Sequence, residues 1–172
     1  MSGGSAKKGK PASASRVTLA QLMHPEHANL MGNVHGGWIM KLVDEAGALA
    51  CMRHSQQRVV TVAIDQMGFK HPIRIGDLVT LVSEVSYVGR TSMEVEVSVT
   101  AENPLTMETT HTNTAYLVYV ALDEHGKPAP VPPLILDTER QKQRWEQAKA
   151  RQDYRLSHAR QVEEAMEEPE AV

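Results

Sequence analysis

The chain has 172 residues, enough for one domain with tails, and 41% of them are hydrophobic, enough for a packed core. A net charge of −3 argues against a general nucleic-acid binder, and a single cysteine, Cys51, excludes an intrachain disulfide. No apolar run approaches the ~20 residues that cross a bilayer, and the lysines near the start have no apolar stretch after them, so the expected setting is a reducing cytoplasm without membrane insertion.

Residues 1–15 are rich in Ser, Gly, Ala, Lys and Pro and read as a flexible tail. A first strand is expected over Val17–Met23, followed by a loop. From Gly36 or Gly37 to about His54, Ile39, Met40, Val43, Gly47, Ala50 and Cys51 recur at spacings of three and four, which predicts a helix. Its small residues Ala46, Gly47, Ala48 and Ala50 predict close packing against a sheet. The period then changes to two. One strand is expected over Arg58–Phe69. Pro72 and Gly76-Asp77 break the pattern, and Val79–Val88 and Met93–Thr100 alternate about a Gly89-Arg90 turn as a hairpin. A last strand runs over Thr109–Leu122, and the Pro128–Pro133 segment closes a domain spanning 16–135. Residues 136–172 read as a charged, solvated helix at an oligomer edge, with contacts such as Trp145, Leu156 and Val162, and an acidic end. The class is α+β.

The chemistry concentrates in Asn33-Val34-His35-Gly36-Gly37 and in Asp44. A glycine turn that opens a helix presents backbone N–H groups without intrahelical partners, at the positive end of the helix dipole. An amide and a carboxylate nearby can orient and activate a water. Gly37 and Asp44 are separated by seven positions, ~10 Å along a helix, too far for one carbonyl to use both in one chain. The geometry therefore predicts two half-sites, each completed by a second copy. Glu45 points about 100° away from Asp44 and reads as structural or salt-bridged. His24 and His27 lack a third ligand and read as exposed loop residues rather than a metal site, and Cys51 reads as a core residue.

Asn33-Val34-His35-Gly36-Gly37, Asp44-Glu45-Ala46-Gly47, Arg53-His54, Val88-Gly89-Arg90-Thr91-Ser92-Met93 and Val131-Pro132-Pro133 together resemble the acyl-CoA hydrolases of the hotdog-fold thioesterase superfamily. The resemblance covers residues 16–135. It implies a long central helix wrapped by an antiparallel five- to six-stranded sheet, an arrangement compatible with the element order but shared by other α+β folds. It implies hydrolysis of acyl-CoA to a free acid and CoA by a homodimer, assembled as a trimer of dimers (a homohexamer), with no metal or cofactor beyond the CoA of the substrate. It places the catalytic pair at Asn33 and Asp44.

In the expected reaction the Gly37 N–H stabilises the oxyanion, Asp44 acts as general base or as nucleophile, and His35 shapes the loop. Lys70, Gly89, Arg90, Thr91 and Ser92 are the candidate CoA contacts, with Arg53 and His54 behind them. Two other readings stand beside hydrolysis. One is a non-catalytic CoA or nucleotide binder. The other is an acyl-thioester dehydratase or hydratase using His35.

Overall fold

The computed structural model describes residues 7–65 and 67–167. The first six positions of the expected tail and residues 168–172 of the acidic end lie outside the described residues.

Helix α1 (Gly36–Ser55) is capped by His35 and stops at Gln56, whose φ of 58° is left-handed. Its buried residues include Ile39, Leu42, Val43, Ala46, Gly47, Ala50 and Cys51, close to the predicted face. Strands β2 (Val17–Leu22), β3 (Arg58–Ile64), β4 (Leu78–Val88), β5 (Ser92–Glu102) and β6 (Thr109–Leu122) form one antiparallel sheet in the order β2-β4-β5-β6-β3. Strand alternation turns Val79, Leu81, Val95, Val97, Leu117 and Tyr119 inward, where they share one buried cluster with α1. A long central helix wrapped by five antiparallel strands is the hotdog arrangement.

Three expectations are corrected. Residues 10–15 are built into the fold rather than loose. Strand β1 (Lys10–Pro11) pairs in parallel with β7 (Leu134–Ile135), and the following 3₁₀ turn buries Ala12 and Ser15. The Ser15 Oγ accepts from the Val85 N–H at 3.0 Å, which ties this turn to β4. The strand predicted to Phe69 ends at Ile64; beyond it the Asp65 N–H still reaches the Tyr116 carbonyl and the Lys70 N–H the Thr112 carbonyl, but residues 67–70 lie outside any strand.

The third correction concerns the charged helix α2 (Glu139–Glu167), which is not solvated all round. It lies on the outer face of the sheet, with Ala148 fully buried. Arg144 bridges Glu84 and Glu96, which stand directly opposite each other on β4 and β5, at 3.1 Å each. Arg151 and Arg155 both reach the buried Glu94 at 2.7 Å, and Arg155 also holds Asp65 at 2.7 Å. Among the described residues no helix is long and apolar enough to cross a membrane.

Candidate active site

The loop before α1 is tied together by its own polar groups. Asn29 Oδ1 accepts from the N–H groups of Met31 (2.8 Å) and Asn33 (3.2 Å), while the Asn29 N–H donates to the Asn33 carbonyl at 2.7 Å. Asn29 and Asn33 line one cavity of about 270 Å³ together with Gly36, Phe69, His71 and Ile73. His35 is the N-cap of α1, and its Nδ1 accepts the Gly37 N–H at 2.9 Å. The ring lies so close that a Cβ at position 37 would stand 3.0 Å from Nδ1. The Gly37 amide thus has an internal partner, whereas the Gly36 N–H donates to no described group.

Asp44 is half-buried on α1, eight positions beyond Gly36 and on the order of 12 Å along the axis. Its carboxylate is held from the sheet. Thr61 Oγ1 on β3 donates to Oδ1 at 2.6 Å, and Tyr119 on β6 donates to the same oxygen at 3.0 Å. Thr61 and Tyr119 are cross-strand partners, next to a bulge between Thr61 and Ala63. Oδ2 has no described partner. Burial, followed by the adjacent Asp44 carboxylate, pushes the Tyr119 phenol far above its ordinary range, so it keeps its proton and donates. Glu45 pairs with Lys41 at 2.6 Å, as expected for a residue on another side of the helix.

The predicted CoA contacts do not gather in one chain. Gly89, Arg90, Thr91 and Ser92 form the β4–β5 turn, tied by Gly89 N–H to Ser92, Val131 N–H to Arg90 and Ala121 N–H to Thr91. Lys70 instead donates its N–H to Thr112, nine positions earlier on β6 than Ala121, and so sits ~30 Å away at the other end of the sheet. His54 is buried. One ring nitrogen, Nε2, donates to the Pro132 carbonyl at 2.9 Å, while the Lys10 ammonium donates to the His54 carbonyl at 2.8 Å. Arg53 gives a hydrogen bond to the Arg16 carbonyl. His27 is buried rather than exposed. It stacks on Trp38 with centroids 4.2 Å apart, and its Nδ1 accepts from the His24 N–H at 3.0 Å.

Sequence reasoning missed Thr61, Tyr119 and Asn29. The alternation over Ala115, Leu117, Tyr119 and Ala121 does put a hydroxyl among inward apolar residues, but no local pattern says that it reaches Asp44.

The family profile of the thioesterase superfamily matches residues 31–108, from the loop before α1 into the β5–β6 connection. The protein VdlD of Helicobacter pylori is 36% identical over 144 residues, covering 84% of this chain and 82% of that one. The crystal structure of an apo-hexameric acyl-CoA thioesterase superposes with a TM-score of 0.85 at 40% identity, over 88% of this chain and 97% of that one. An acyl-CoA hydrolase from Staphylococcus aureus, solved with butyryl coenzyme A, coenzyme A and coenzyme A disulfide, gives 0.84 at 30% identity, over 92% and 96%. The Staphylococcus enzyme has also been solved as variants in which an aspartate, a threonine or an asparagine is replaced by alanine. That threonine follows the aspartate by 17 positions, and the asparagine precedes it by 15. Thr61, Asp44 and Asn29 repeat both spacings, while Asn33 stands nearer to Asp44.

Proposed function

This chain belongs to the thioesterase superfamily as an acyl-CoA thioester hydrolase of hotdog fold, and we propose that its active site is shared between two copies, with Asp44 of one facing the Asn29–Gly37 loop of the other. The observation that carries this reading is the Asp44 carboxylate. It is fixed through Oδ1 by two hydroxyls, and its Oδ2 is left for a water. That oxygen takes a proton from the water as the water oxygen attacks the thioester carbon. The C–S bond then breaks, and the CoA thiolate recovers the proton from Asp44. The developing oxyanion is received by the Gly36 N–H and by the Gly37 N–H, which His35 Nδ1 hands over. An asparagine of the loop orients the water, and both Asn29 and Asn33 are candidates.

Two copies meet along β3, one of the two edge strands of the sheet. Val60, Val62 and Ile64 are exposed there, an apolar edge that a second strand would cover. Antiparallel pairing of two β3 strands turns the second sheet end for end. Lys70 of one copy then lies toward the Arg90 turn of the other, which supports a CoA site built from both. Three such dimers make the homohexamer. The chemistry uses a carboxylate, amides and water, with no metal or cofactor, and CoA enters and leaves as part of the substrate. A cytoplasmic setting is supported by the free, buried Cys51.

The test is thiol release from acyl-CoAs of varied chain length, with Asp44→Asn, Asn29→Ala and Asn33→Ala beside the native protein. Asp44→Asn is expected to lower kcat on the order of 10²–10⁴-fold. The catalytic asparagine is the one whose loss lowers kcat more. No release at any length by the native protein, with CoA still bound, would refute hydrolysis and make the chain a binder.

A further inference from the structure

Tyr119 is fully buried, and its ring lies beneath α1 between Leu117 and Ala121 of the inward face of β6. A phenol in such a place needs an acceptor, because an unpaired buried hydroxyl is costly. It has two, both on one residue: the Asp44 carbonyl at 2.8 Å and Asp44 Oδ1 at 3.0 Å. We propose that Tyr119 is a positioning residue for hydrolysis, holding the main chain and the carboxylate of Asp44 together so that Oδ2 is the oxygen presented to water. This rests on the reading of Asp44 as the general base.

Three features carry the assignment. First, the tie is to both ends of Asp44. A tyrosine placed only to fill the core would be satisfied by the carbonyl alone. The shared hydrogen bond instead fixes the side chain relative to its own helix. Second, Thr61 lies directly across the strand pair and donates to the same Oδ1 at 2.6 Å. Both donors converge on one oxygen. Third, the helix is shaped to admit the phenol. A Cβ on Gly47, less than one turn beyond Asp44, would stand 2.6 Å from the phenol oxygen and 3.0 Å from Val95 Cγ1. Position 47 is therefore the opening through which the hydroxyl reaches residue 44. Any side chain there displaces it.

The test is a double-mutant cycle on thiol release, using Tyr119→Phe, Asp44→Asn and the pair together. Tyr119→Phe keeps the ring and its packing. Its kcat is expected to fall about tenfold, the size of effect that loss of one hydrogen bond to a charged group produces, while KM moves less than about twofold. In the Asp44→Asn background the same change is expected to cost nothing further. A native kcat in Tyr119→Phe would overturn the proposal, as would a tenfold loss that persists undiminished beside Asp44→Asn, since that loss would then come from packing alone. Full activity in Asp44→Asn would overturn the base assignment itself, an outcome separable from the first two. Gly47→Ala, which keeps the hydroxyl but crowds it, serves if Tyr119→Phe does not fold. It is expected to give the same fall in kcat at unchanged KM, and a native kcat there would equally overturn the proposal.

Discussion

Replacing Glu94 with glutamine tests what holds α2 to the sheet. The Glu94 carboxylate is 1% exposed and accepts from Arg151 at 2.7 Å, Arg155 at 2.7 Å and Ser86 Oγ at 2.9 Å. Glutamine has nearly the same shape. It removes the charge and turns one acceptor into an NH₂ group facing a guanidinium. Breaking a buried ion pair by removing one partner costs about 3–5 kcal/mol. Arg151 and Arg155 keep 25% and 17% of their side chains in solvent, so water recovers part of the loss. Arg155 also keeps Asp65. The lower end, ~3 kcal/mol, is therefore the expectation. For a chain of this size that lowers Tm by about 6–12 °C. Scanning calorimetry reads the shift, and hydrogen exchange locates it. Amides of α2 around residues 144–155 should lose protection while α1 keeps its own. A Tm within about 2 °C of native with α2 still protected would refute the reasoning, because the ion pairs would then only be repaying their own desolvation.

Two further outcomes follow from other parts of the molecule. Val62→Lys places a charge on the exposed edge of β3 and is expected to give a monomer by light scattering, with thiol release down at least about tenfold because each half-site loses its complement. An assembly of native size would refute edge pairing through β3. Burial lowers the pKa of His54 below its ordinary value of about 6.5. The unfolded chain therefore takes up a proton near that pH while the folded one does not, so this residue's effect is a loss of stability as pH falls from about 6.5 toward the lowered folded value. Urea midpoints on both sides of that range, for the native chain and His54→Gln, read it. An equal acid loss in the variant would assign it to other groups.

The parts of the fold carried by local pattern were legible. Spacings of three and four residues placed α1 within a residue of its observed ends, and alternation placed the β4–β5 hairpin. What distant contacts decide was not legible. Arg144, Arg151 and Arg155 look like ordinary solvated helix charges until the sheet brings Glu84, Glu94 and Glu96 beneath them. Lys10 and Ser15 sit in a stretch composed like a linker, yet they anchor on His54 and Val85. The site divides in the same way. Asp44 and the glycine turn share one helix and can be placed by counting. Thr61 and Tyr119 come from strands 17 and 75 positions downstream, and only the register between β3 and β6 joins them on one oxygen.

The pairing of β1 with β7 has a consequence for synthesis. β2 finds its partner once residue 83 has been made, β3 waits for β6 at residue 122, and β1 waits for residues 134 and 135. β1, the earliest of the described elements in chain order, is thus among the last to be secured, and closure of the described fold runs from its middle outward. Until the Pro132–Pro133 stretch leaves the ribosome, the His54 end of α1 lacks its cover, and that seam stays open to solvent.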